Sequence, residues 1–185
     1  MPQQDAPIIN PMVTAALLLV AISGSHGSVP AWMDWQLAGY SFSYDDTHRP
    51  VAVHDPKTGF YLVRDVECDG GTLTLLLTRD HQLAAENAAI DANSENEADN
   101  IAQKRLPNLA TGHGLRMGDS ESRMKELLGK PDSEDIEGSR DQYVVYRYNW
   151  VDHSPNRNDP DTSYEQKYTF KKGTLIEIEF TRDSE

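Results

Sequence analysis

Three of the six histidines adjoin an acid, at His54-Asp55, Asp80-His81 and Asp152-His153, and such neighbours could supply an acid–base pair or two metal ligands. None has the i, i+4 spacing that puts two imidazoles on one helix face for zinc, as in His-Glu-x-x-His. A small extracytoplasmic hydrolase or metal-dependent enzyme built on His54, His153 and loop acids therefore requires these groups to converge from separate segments into one concave pocket. The stretch DHSPNRNDPDTS, residues 152–163, offers oxygen ligands at Asp152, Ser154 and Asn156 and adds Asp159 and Asp161, a donor set suited to calcium. Arg157 stands where an EF-hand loop needs Gly, and Ser163 where it needs a bidentate Glu, so the stretch reads as a hairpin loop of turn formers. Carboxylate pairs such as Asp45-Asp46 and Glu134-Asp135, both in turn-like stretches, are expected in a chain this acidic. No Gly-x-Ser-x-Gly elbow, phosphate-binding glycine loop or Cys/His dyad is present, and no catalytic residue, metal or cofactor is expected.

The single cysteine, Cys68, excludes an intramolecular disulfide and, within one chain, a Cys-based metal cluster. It shares strand parity with Phe60, Leu62 and Val66 and reads as a small buried hydrophobe. A formal net charge of −13 removes the usual source of phosphate neutralisation, so nucleic acid is not an expected partner. The acidity favours solubility, with docking of a basic partner as its second reading.

These residues need elements to hold them. Residues 12–22, MVTAALLLVAI, form an uncharged apolar run too short to cross a bilayer as a helix but of signal-peptide length. Small residues at Ser25-His26-Gly27 and Val29-Pro30-Ala31 offer two cleavage points, so residues 1–31 read as a signal peptide cleaved near Gly27 or Ala31. The product is periplasmic or secreted, without a stable membrane span in the mature chain; the alternative is a membrane-associated protein with an uncleaved N-terminal segment. No Cys follows the apolar run, as a lipoprotein requires.

Residues 32–82 read as an antiparallel meander. Tyr40, Phe42 and Tyr44 alternate with serines, Pro56 and Gly59 mark a tight turn, and the DGG turn at Asp69 joins a strand to one with Leu73, Leu75 and Leu77 in phase. Residues 83–110, rich in Ala, Asn and Glu, read as an acidic helical linker, with helical stretches over 84–90 and 98–106 interrupted at Asn93, Ser94 and Asn96 and the second stopped by Pro107. In 111–185 three strands follow a short helix. Val144, Tyr146, Tyr148 and Trp150 share one face, Tyr164, Tyr168 and Phe170 are in phase, and Ile176, Ile178 and Phe180 point inward with Glu177 and Glu179 outward beyond a turn at Lys172-Gly173. The short helix is fully marked in GDSESRMKELLGKP: Asp119 suits the N-cap, Glu121 can pair with Lys125, Met124, Leu127 and Leu128 form a stripe, and Gly129 and Pro131 end it.

A Thr-x-x-Gly-Leu-x-x-Gly-Asp-Ser run, a short helix ending in Leu-Leu-Gly-Lys-Pro, then an aromatic strand and a hairpin occur here in that order. Across roughly 98–183 this order resembles the SmpA/OmlA (BamE-like) family and the wider set of BLIP-like α/β modules of exported bacterial proteins, with Gly118, Asp119, Leu128, Gly129 and Pro131 matching the motif. The resemblance implies a C-terminal ααβββ unit, two helices on a three-stranded antiparallel sheet, beside the N-terminal β-meander in an α+β chain. It also implies a non-enzymatic module acting through surfaces, in envelope assembly, as a scaffold, or as an inhibitor-type binding protein. The expected partner is a protein, met by aromatic residues drawn from Tyr143, Tyr146, Tyr148, Trp150 and Tyr164. The phase of Tyr146 and Trp150 favours the core, whereas Tyr143 lies on the opposite phase and suits contact.

Overall fold

The computed structural model describes residues 28–42, 51–66, 71–89, 101–138, 142–153 and 161–184. A small hairpin, β1 (Gln36–Leu37) and β2 (Tyr40–Ser41), precedes β3 (Val51–Asp55), β4 (Phe60–Val66), β5 (Leu73–Thr78) and helix α1 (His81–Ala89). There follow β6 (Ala102–Gln103), α2 (Glu121–Leu128), β7 (Ser133–Glu137), β8 (Tyr143–Asp152), β9 (Thr162–Lys171) and β10 (Thr174–Ser184). Apart from the β1-β2 hairpin, the strands form one eight-stranded sheet in the order β6-β3-β4-β5-β10-β9-β8-β7, antiparallel except where β6 runs parallel to β3.

This corrects the expected three-stranded ααβββ unit. Strands β8, β9 and β10 do form a meander, but β10 pairs along its other edge with β5, Ile178 opposite Leu77 and Phe180 opposite Leu75, so the two β regions share one sheet. The expected helix over 98–106 is also corrected. From Ile101 the chain is extended, and β6 hydrogen-bonds to the outer edge of β3. Lys104 N–H donates to His54 O at 3.0 Å, and Leu106 N–H donates to the Asp55 carboxylate at 3.3 Å. An available sheet edge and a buried acceptor outweigh a helix propensity worth a few tenths of a kcal/mol per residue.

Strand alternation determines what each face of the sheet carries. One face presents Phe60, Leu62, Leu73, Leu75, Leu77, Tyr146, Tyr148, Tyr168, Phe170, Ile178 and Phe180, all buried. Residues 28–42, the segment 104–118 and α2 lie over it, contributing Met33, Leu37, Phe42, Leu106, Leu115, Met124 and Leu128. Phe180 meets Phe42 and Tyr168 edge-on at 5.6 and 6.3 Å.

Two buried aspartates fasten this cover. Asp34 accepts N–H bonds from Gln36, Gly112 and His113 at 3.2, 3.0 and 2.7 Å. A Cβ at Gly112 would stand 2.5 Å from Asp34 Oδ1, so the close approach requires glycine. Asp55 accepts from Lys57 N and Leu106 N; burial pushes its pKa up, but these N–H bonds and Thr58 outweigh that and hold the carboxyl below its usual value.

The GDSESRMKELLGKP motif is a docking device. Ser120, rather than Asp119, caps α2 by accepting from Arg123 N, while Asp119 accepts from Arg116 N at 2.8 Å and closes the preceding turn. Gly118 N–H donates to Leu175 O and Leu175 N–H to Asp119 O, both at 2.9 Å, which joins the motif to the start of β10. Glu121 and Lys125 converge on the Tyr146 hydroxyl, at 2.8 and 3.2 Å, instead of forming the expected pair. Met124 and Leu128 are buried as the stripe requires, and Gly129 takes φ 82° and ψ −156°, a region that favours glycine.

The opposite face is covered differently. Helix α1 packs on β3, β4 and β5, where Val63, Leu76 and Ala84 form a small second cluster. Among the described residues, no helix lies over this side of β10, β9, β8 and β7.

Candidate functional site

The uncovered half of the second face is assembled by register. Glu177, Thr169, Val145 and Asp135 stand opposite one another across the strands, with the Thr78 hydroxyl bonded to Glu177, and in the next row run Leu76, Glu179, Lys167, Arg147 and Ser133. A β-bulge between Leu175 and Glu177 breaks the phase of β10. It corrects the expectation that Ile176 points inward with Ile178 and Phe180. Leu175 takes the buried place, and Ile176 lines an open concavity of ≈ 440 Å³ on the uncovered side, with Val145, Tyr143, Thr169 and Glu177.

Within that concavity Glu177 is held firmly. Thr78 and Thr169 hydroxyls donate to its two oxygens at 3.1 and 3.3 Å, and the Lys167 ammonium lies 4.0 Å away. Burial raises its pKa above the usual value, partly offset by Lys167 and the threonine bonds. Burial alone would lower the pKa of Lys167, but the carboxylates of Glu179, Glu177 and Glu165 raise it, and Lys167 also pairs directly with Glu179. Arg147 sits among three carboxylates, bonded to Asp135 and to Glu137 at 3.0 Å, with Glu165 at 3.8 Å. Carboxylates thus outnumber cations. Tyr143 stands half-buried at the rim, with the Lys171 ammonium 5.1 Å over its ring. The result is an apolar floor, Val145 and Ile176, inside an acidic and aromatic rim. It can recognise a surface through hydrogen bonds, charge and ring contact; both Glu177 oxygens already accept bonds.

The other anticipated contact residues fall elsewhere. Tyr146 and Tyr148 are 1% exposed in the core. Burial, with nearby carboxylates, raises the pKa of Tyr146, and burial first, then Asp132, pushes Tyr148 up to about 12. Trp150 stacks on Tyr164 at 5.1 Å, and Trp35 meets Tyr164 edge-on at 5.6 Å, forming a ledge on the covered face. Of the motif residues, Gly129 and Pro131 line a second hollow of ≈ 540 Å³ between the end of α2 and β7.

The histidines do not converge. His54, on β3, stacks on Tyr61 at 4.4 Å and lies 2.9 Å from Gln103 Oε1, while His153 follows β8 and lies 2.7 Å from Asp161. Their strands are five places apart, roughly 24 Å at the usual strand spacing. His81 meets Tyr61 edge-on, and His113 bonds to Ala31 O. No group of three or more His, Cys, Asp or Glu suited to a metal occurs among the described residues. Ser154, Asn156 and Asp159 of the 152–163 loop, Cys68, Asp45-Asp46 and the apolar run 12–22 lie outside them.

Sequence reasoning missed Glu177, Lys167, Thr78 and Thr169 as a group. Alternation marks Glu177 and Glu179 as outward, but nothing local tells which outward residues of β5 and β9 stand beside them. Comparison of the chain with family models, with curated proteins and with solved structures finds no match.

Proposed function

We propose that this chain is an exported, non-enzymatic protein-interaction module that acts through the uncovered half of its sheet. The observation that carries this reading is the unequal cover among the described residues: three segments lie over one face, whereas on the other β7 to β10 carry an open concavity with buried Val145 and half-buried Ile176 at its floor and half-buried Tyr143 and a carboxylate-rich ladder around it. An apolar centre inside a polar rim is the usual anatomy of a protein interface. The excess of carboxylates selects a basic partner and speeds its approach. The likeness of Gly118-Asp119 and Leu128-Gly129 to the SmpA/OmlA motif supports the same class of role in envelope assembly or scaffolding.

A photocrosslinker at position 143 tests this in an extracytoplasmic extract. One protein should be captured, with the yield falling at high salt, and the same probe at solvent-facing Arg123 should capture nothing comparable. Recovery of monomer alone from position 143 would sink the reading.

Export is part of the proposal. Cleavage after Gly27 retains the bonds from Met33 N to Pro30 O, 3.0 Å, and between His113 and Ala31 O, 2.9 Å, whereas cleavage after Ala31 removes both acceptors. Fractionation with N-terminal sequencing should give a mature chain beginning at Ser28; an intact N-terminus in the cytoplasmic fraction would reject export. No helix among the described residues is long and apolar enough to cross a membrane.

A further inference from the structure

The two edges of the eight-stranded sheet differ in a way that bears on how a partner could be held. At one edge β6 is two residues long. At the other, β7 pairs with β8 in unbroken register from Ser133–Arg147 to Glu137–Tyr143, and among the described residues nothing pairs with its outer side. Proteins usually blunt such an edge with charged side chains, lysine above all, or with proline, a bulge or a covering loop; the three acids of β7 guard it against a like-charged strand and leave it open to a basic one. The sequence of β7, SEDIE, contains neither lysine nor proline, and its register shows no bulge.

Ile136, the fourth of the five residues of this strand, is 69% exposed, the most exposed large hydrophobic side chain among the described residues. It lies on the same side of the sheet as Glu134, which pairs with Lys125 of α2 at 3.5 Å; the hollow at the end of α2 reaches the same strand through Ser133 and Glu134. On the opposite side Asp135 and Glu137 share Arg147 with Glu165, so one guanidinium serves three carboxylates.

We propose that β7 is an acceptor edge, which pairs backbone to backbone with an extended segment of another protein in which basic and apolar residues alternate. This rests on the reading of the chain as a protein-interaction module and assigns the mode and chemistry of the contact. Free N–H and C=O groups along an edge supply the affinity of strand addition, and side-chain pairs across the new junction supply the choice of partner. An apolar residue beside Ile136 shields it from water. A lysine or arginine beside Glu134, Asp135 or Glu137 supplies the cation that the network lacks, since opposite charges facing across strands stabilise pairing and like charges oppose it. The same rule disfavours a second copy of this chain, because full antiparallel overlap of two SEDIE strands sets Asp135 against Asp135, places Glu134 rather than an apolar residue opposite Ile136, and brings no cation to the edge. The added strand also widens the uncovered face beside Tyr143, which faces Glu137 in register.

The probe is a capped octapeptide alternating lysine and valine, titrated into the full chain by fluorescence anisotropy and followed by amide hydrogen exchange. It should bind, slow exchange at 133–137, and weaken at high salt. A glutamate-for-lysine peptide should not bind. N-methylation of alternate peptide nitrogens should weaken binding by about tenfold or more by removing main-chain donors while leaving every charge in place. Ile136→Lys should weaken it by about fivefold or more, with the circular dichroism spectrum unchanged.

Equal binding of the N-methylated peptide would overturn strand pairing in favour of charge alone. Absence of binding, or protection confined to residues around Tyr143 and Thr169, would also overturn it. A chain dimer that Ile136→Lys dissociates would replace the proposed occupant with a second copy. Crosslinking from position 143 separates the two levels: capture there without protection of β7 removes the edge proposal and leaves the interaction reading in place, whereas failure of both removes both.

Discussion

The two faces of the sheet carry the same strands in the same alternation, yet their polar groups meet opposite fates. On the covered face Asp34, within segment 28–42, accepts N–H bonds from Gly112 and His113 of the neighbouring segment, Asp55 accepts one from Leu106 beside the local bond from Lys57, Gln166 donates to Asp34 O at 2.7 Å, and Tyr148 donates to Gly129 O at 2.9 Å. Each polar group there fastens one particular piece of cover. On the uncovered half, Arg147 and Lys167 are divided among several carboxylates within the same surface. The contrast teaches that burial by itself does not distinguish a structural carboxylate from a surface one. What distinguishes them is whether the partners belong to the cover or to neighbouring strands.

That contrast can be broken most decisively in the core. Phe180→Ala, at a fully buried ring packed on Phe42 and Tyr168, should cost about 3–5 kcal/mol in urea unfolding. A cost below about 1 kcal/mol would mean that this face is not the main core. Asp34→Ala comes next: three backbone donors lose their acceptor, for a loss of about 1–3 kcal/mol, with faster amide exchange at Gly112 and His113. Unchanged exchange there would remove Asp34 from its fastening role.

A pH series should separate the faces by sign. Asp55 titrates below its usual 3.8, so its contribution to stability is complete above that value and is lost as pH falls through the lower folded pKa. Glu177 titrates above its usual 4.5, so its contribution is complete below that value and is lost as pH rises through the raised folded pKa. Asp55→Asn should therefore be most damaging near neutrality and least in acid. Glu177→Gln should gain on the parent chain as pH climbs past 4.5, and parallel curves for the two variants would erase the distinction. The smallest effect belongs to Glu137→Ala, within about 0.5 kcal/mol of the parent, because Arg147 keeps Asp135 and Glu165 and the Glu137 carboxylate is exposed.

Much of the local structure was legible in the sequence. Leu73, Leu75 and Leu77 are buried in phase, Tyr164, Tyr168 and Phe170 share one face, and Gly59 and Lys172-Gly173 turn with positive φ. Period-two alternation and turn chemistry are properties of a few adjacent residues, so they survive folding unchanged. The helix over 98–106 failed because a propensity of tenths of a kcal/mol met the edge of β3 and the Asp55 carboxylate. Ile176 was misplaced because a bulge leaves no mark in an alternating pattern. The Glu177 site was invisible for a related reason, since it combines residues from three strands whose register is set by pairing.

Strands β4, β5, β8, β9 and β10, the turns at Gly59 and Lys172-Gly173, the stops of α2 and the acidic balance of the chain could be read from the residues alone, because they follow from short-range sterics, periodicity and composition; β6 and β7, read as helix and turn, could not. That β5 and β10 join into one sheet, which side α1 covers, and that β7 is the outermost strand among the described residues depend on long-range pairing. Interstrand hydrogen bonds join backbone groups that every residue but proline carries in full, so the choice of neighbour depends on how whole faces fit between segments far apart in the chain.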